Sequence, residues 1–280
     1  MLVRTIIKEI KNLGFNKNFF SVDRVLSDTD FLAIDYLIKH YDGIENVIAL
    51  AANPEVTDSL AIYDANSSDV GNVNAQITGA LSQNVNVEQD GVTGEINKNK
   101  MIDVYKKLIA VGKGNFDCYR NFFDLIGSVS NSSHDDSIYL KEFSSYYDAN
   151  LSSEGSVIEK LDKMYSNVDV YSNYYNYDGW NSFKEFHSNL CNSLAWKVVL
   201  NPANVAYLKS AIQWSESSLK ISKNNPYYLD TLAQLYYKNN QKEKGITIET
   251  QAVLFLTNSV DEKTATDIRN TLTKMKNGTY

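Results

Sequence analysis

Proline is scarce, with three in 280 residues. That argues against a loop-rich sandwich and leaves room for long helices, because a Pro inside a helix costs about 3 kcal/mol. Cysteine is scarcer still. Cys118 and Cys191 are far apart and form neither a CxxC redox pair nor a zinc knuckle. The simplest reading is two small buried hydrophobes, although the sequence leaves open whether folding pairs them. No run of Lys or Arg tracks along the chain, and 27 basic residues face 34 acidic ones for a net charge of −7. Nucleic acid and anionic membrane are therefore poor partners. No stretch reaches the roughly 18 apolar residues of a membrane span. The N-terminus is not read as a signal peptide, since Arg4, Lys8 and Glu9 interrupt its apolar run. No Gly-x-Ser-x-Gly elbow, phosphate-binding glycine loop, HExxH or EF-hand pattern is present. The expectation is no catalytic residue, no cofactor and no metal site.

What the chain does have is helical periodicity. Ile6, Ile7, Ile10 and Leu13 share one face of a first helix, and Phe31, Ile34, Leu37, Ile38 and Tyr41 build a second that stops at Gly43. Asn53-Pro54 reads as a helix start, with Val56, Leu60 and Tyr63 following. Residues 66–99 differ, being rich in Gly, Asn, Ser, Gln and Asp, with Val85, Val87 and Val92 spaced for a hairpin around Asp90-Gly91. This polar excursion marks the expected boundary between a helical region at 1–95 and a second at 96–280. From Met101 the stripes return, through Tyr105 and Leu108, Phe122 and Ile126, Phe143 and Tyr147, and Leu161. A long helix is expected from Trp180 to about Leu200.

The last third is the most regular. Ala211 and Gly245 are 34 residues apart, and so are Ser218 and Ala252. Leu229, Leu232, Ala233 and Tyr236 form a stripe on a helix capped by Asn225 with Pro226 at its first position. Two further helices are expected over residues 206–222 and 243–257. Ser259-Val260-Asp261-Glu262 reads as a capping box opening a final amphipathic helix at about 260–275, with Ile268, Leu272 and Met275 on its apolar face.

A 34-residue helical period is that of the tetratricopeptide repeat. This sequence resembles that family at Leu229, Leu232, Ala233, Tyr236, Gly245 and Ala252. It departs from it in the longer connection at Asn201-Pro202-Ala203-Asn204 and in Val198 and Ser218. The segment Tyr228–Ala233, with Ala195-Trp196, also resembles the helical region found behind thioredoxin-like domains in exported proteins of Bacteroidetes-type bacteria. The resemblance implies an all-α fold of antiparallel hairpins stacked as an α–α superhelix, with hairpins at about 187–258 and the last helix as a cap. It implies a protein-interaction or scaffold module, accessory to an exported thiol-redox system, and a periplasmic or other extracytoplasmic location. Without the resemblance a cytoplasmic location is expected.

In such folds the first helix of each hairpin lines the concave face. Here that places Asn192, Trp196, Tyr227, Asp230, Gln234 and Tyr237 as candidate binding residues for a protein or peptide partner. They lack the basic pattern that grips a peptide carboxylate. Trp180, with Tyr165, Tyr171, Tyr174, Tyr175 and Tyr177, extends the candidates as an aromatic patch suited to peptide or sugar. The alternative is a carbohydrate- or peptide-binding envelope protein, or a metal-dependent hydrolase built on His134 and Asp135 in the polar segment His134-Asp135-Asp136, otherwise a solvated loop. His187 reads as a structural histidine on a helix, and His40 as a helix C-terminal residue.

Overall fold

The computed structural model describes residues 25–39, 97–110, 116–152, 155–166 and 179–280, with Ile77, Thr78, Leu81, Ser82 and Asn84. Among the described residues the chain is all-helical, with no strand. The readings at residues 1–13, His40, Gly43, 53–63, 85–92 and Tyr171–Tyr177 lie outside them.

By contact density the chain forms two compact units, Met1–Val129 and Ser130–Tyr280. In the first, helix α1 (Asp28–Lys39) packs on α2 (Lys98–Ala110). Their spacing puts Phe31, Ile34 and Ile38 of α1 and Met101, Tyr105 and Leu108 of α2 on buried faces. Lys100 and Lys107 of α2 pair with Asp28 and Asp35 of α1 along the exposed rim. Helix α3 (Phe116–Ser133) adds Phe122 and Phe123, and the Phe122 ring lies 6.1 Å from that of Tyr105.

The second unit contains α4 (Ser137–Asn150), α5 (Val157–Tyr165), α6 (Gly179–Leu200), a 3-10 turn (Pro202–Tyr207), α7 (Leu208–Ile221), α8 (Pro226–Lys238), α9 (Lys242–Leu254) and α10 (Glu262–Asn277). Its local starts follow from side-chain chemistry. Asn201 and Asn225 each accept a backbone N–H, from Ala203 and Tyr227, and each is followed by Pro, whose missing N–H costs nothing at a helix start. At α10 the expected capping box is replaced. Asp261, not Ser259, is the N-cap, and its carboxylate accepts from Thr264 N at 2.9 Å. Ser259 Oγ is instead bonded to Thr257 Oγ1.

Successive helices run antiparallel. Ser188, near the middle of α6, reaches Ser218 and Ser222 at the end of α7. Tyr237 at the end of α8 meets Gly245 at the start of α9, while Leu229 packs on Ala252. Helices α8 and α10 run parallel, with Leu229 near Ile268 and Tyr237 near Met275. Gly245 is required where it stands. A Cβ there would sit 2.8 Å from the Ala233 carbonyl oxygen and 3.2 Å from Tyr237 Cβ. The fully buried Trp214 of α7 packs on α4, its ring 5.0 Å from Phe143 in an edge-to-face arrangement.

Candidate functional site

Helices α6, α8 and α10 enclose a cleft of about 540 Å³. From α6 come Asn192 and Trp196, and from α8 come Tyr227, Asp230, Thr231 and Gln234. Five of the seven candidate residues thus meet in one concavity. The reason is geometric, since positions four and seven apart fall on one helix face. Tyr227 is 40 % exposed, whereas Asn192 and Trp196 are half-buried.

The other two candidates lie elsewhere. Tyr237 is buried, its hydroxyl donating to the Met275 carbonyl and its ring edge-on to Tyr280 at 5.2 Å. Trp180 packs on Tyr165 of α5 at 5.4 Å and lies under Lys184. Neither lines the cleft. The third wall was not anticipated. Thr264, Asp267, Ile268, Asn270, Thr271 and Lys274 of α10 face it. The polar side of this helix, expected to be an outer cap surface, closes the cleft. Its i, i+3, i+4, i+7 spacing was the available signal.

Behind the floor lies the residue that sequence reasoning missed. Glu249 of α9 is fully buried, and no N–H or O–H donor reaches either of its oxygens. The group it faces is the Asp230 carboxylate. A bare carboxylate pair in this environment is untenable, so Glu249 holds a proton and donates it to Asp230. Burial, then the charge of Asp230, pushes the Glu249 carboxyl up to about 10. Burial also raises Asp230, against hydrogen bonds from Gln234 and Glu249. The Gln234 amide donates to both Asp230 oxygens at 2.9 Å, and Tyr280 donates to the Gln234 carbonyl. A chain of hydrogen bonds therefore runs from Tyr280 through Gln234 to Asp230. In sequence, Glu249 stood on the same stripe as Gly245 and Ala252, the position where a charge is least expected.

The histidine readings resolve differently. His134 is exposed in a left-handed turn, at φ 58°, and Asp135 is exposed, its carboxylate accepting from Ser137 N. Asp136 is not solvated. It is buried, ion-paired to Lys197 at 2.9 Å, and accepts hydrogen bonds from Ser130 and Asn204. Burial opposes its ionisation, but those three partners outweigh it and hold the carboxyl below the usual range. His187 is buried. Its Nδ1–H donates to the Phe183 carbonyl, which leaves Nε2 to accept from the Tyr146 hydroxyl, both at 2.8 Å. Burial lowers it to about 4. Cys118 and Cys191 are both buried and are not joined to each other, and burial pushes the Cys191 thiol up to about 12.

Among the described residues no group of three His, Cys, Asp or Glu side chains is placed to hold a metal ion, and no helix is long and apolar enough to cross a membrane. No protein-family model matches the sequence, and no curated protein matches it.

Proposed function

We propose that this chain is a non-catalytic interaction module. In this reading α6–α10 stack as tetratricopeptide-like hairpins, and the cleft between α6, α8 and α10 holds a segment of a partner protein. The carrying observation is that Asn192, Trp196, Tyr227, Asp230 and Gln234 converge in one concavity of ligand size. A half-buried Trp beside an exposed Tyr is the kind of surface on which interface energy concentrates, often about 2 kcal/mol or more for a central anchor. The resemblance to regions behind thioredoxin-like domains extends the proposal to a partner in an exported thiol-redox system. A CxxC domain in the same reading frame supports that extension, and a reading frame without one removes it.

The test is affinity capture with the full chain and its Trp196→Ala variant. Partner capture falls about tenfold or more in the variant, the size of a lost anchor, while the melting temperature stays close to that of the wild type. Unchanged capture with a large drop in melting temperature assigns Trp196 to packing and overturns the reading.

A further inference from the structure

The cleft carries more acid than base, and its acids sit on facing helices. Asp230 of α8 and Asp267 of α10 both line it, and the charge of Asp267 is felt at Asp230. Neither is ion-paired within the described residues. The one basic residue of the lining, Lys274, is seven residues beyond Asp267 on α10, which at 1.5 Å per residue is about 10 Å along the helix. Behind Asp230, the fully buried Glu249 has no donor from the protein. Its own proton serves the inner side of Asp230, and the Gln234 amide fixes that carboxylate in place. The pair therefore keeps one negative charge on the cleft floor, already oriented and partly desolvated. The Trp196 ring and the exposed Tyr227 ring stand on the same walls. Carboxylates beside aromatic faces in a sheltered concavity are complementary to one chemistry, a cation on an organic stem.

We propose that the α6–α8–α10 cleft receives a basic side chain of a partner peptide, an Arg guanidinium or a Lys ammonium, held between Asp230 and Asp267 and against Trp196. This rests on the interaction reading above and names the chemistry of its ligand. Specificity comes from the floor. A neutral or acidic side chain would leave the Asp230 charge buried without a counter-ion, and such a desolvated charge weakens binding.

The test uses random 12-residue peptides displayed on phage, panned on the full chain and counter-panned on Trp196→Ala to retain cleft-dependent binders. The peptides share an Arg or Lys. In the synthesised peptide, replacing that Arg by citrulline, or that Lys by norleucine, lowers affinity at least tenfold. Asp267→Asn, at an exposed position that leaves the fold intact, gives a comparable loss. Glu243→Gln, at an exposed acid of α9 outside the cleft, leaves affinity within twofold and so controls for general attraction to a negative protein. Cleft-dependent peptides without a basic residue, or affinity indifferent to Asp267→Asn, overturn this inference and leave the interaction reading standing. Failure to recover any Trp196-dependent peptide overturns both.

Discussion

At points 34 residues apart, the α6/α7 hairpin has Ala211 and Ser218 where α8/α9 has Gly245 and Ala252. The first crossing is polar. Ser188 Oγ donates to the Ser218 carbonyl at 3.0 Å, which leaves it to accept from Ser222 Oγ at 2.9 Å, and Trp214 anchors α7 on the rings of α4. The second crossing is a close backbone approach that only Gly245 permits. One periodic frame is thus closed by two kinds of chemistry, directional bonds with aromatic bulk in one and removal of bulk in the other. Each hairpin also buries a group whose charged form burial disfavours, His187 in the first and Glu249 in the second, and these two fail at opposite ends of the pH scale.

The largest effect belongs to the aromatic anchor. Trp214→Ala empties a fully buried site and is expected to cost about 3–5 kcal/mol, read by denaturant unfolding. A loss under 1 kcal/mol would erase the contrast between the hairpins. Next comes acid sensitivity. His187 is held neutral at about 4 against an ordinary value of 6.5. A depressed group binds fewer protons folded than unfolded. Stability is therefore intact above about pH 6.5 and declines as pH falls towards 4, by about 3 kcal/mol in total. His187→Gln flattens that limb. The Asp136 contribution persists, because its loss begins only below the usual carboxylate value.

A reciprocal pair sharpens the packing contrast. Gly245→Ala should cost about 1–3 kcal/mol despite the better helix propensity of Ala. Ala211→Gly at the equivalent point should cost only about 1 kcal/mol, the propensity term. Equal losses would show that the two crossings are not different in kind. The last expected effect, at Glu249, is absent in mild acid and grows with pH. A raised group contributes stability below its unfolded value and loses it as pH rises towards the folded one. Glu249→Gln supplies an N–H donor to Asp230 without needing a proton. It should match the wild type near pH 5 and exceed it progressively towards pH 9, in parallel melting curves.

The all-helical class was legible because stripes at 3.6-residue spacing and the Asn225-Pro226 start are local signals. The expected helices at 206–222 and 243–257 are observed as Leu208–Ile221 and Lys242–Leu254. The small residue at Gly245 was legible for the reason the structure gives, the approach of two helices. The Ser259 cap was not, because Asp261 lies two residues closer to the helix and its carboxylate competes for the same orphan N–H groups. The contribution of α10 to the cleft was missed because periodicity identifies the buried stripe of a helix but not what its polar face overlooks. Asp136 read as solvated because its partner Lys197 is 61 residues away and invisible to any local pattern.

That distant pairing governs time as well as stability. Asn204 and Asp136 are separated by 68 residues, whereas the Lys244–Tyr236 bond within a hairpin spans eight. Closing a long loop is opposed by chain entropy until the closing contacts form. The α6/α7 and α8/α9 hairpins can assemble before the link exists, so the link is expected to form on the native side of the folding barrier. Loosening it with Asn204→Ala would quicken unfolding and leave the refolding rate nearly unchanged. The longer connection after α6 thus works as a latch, setting the lifetime of the folded state more than the speed of reaching it.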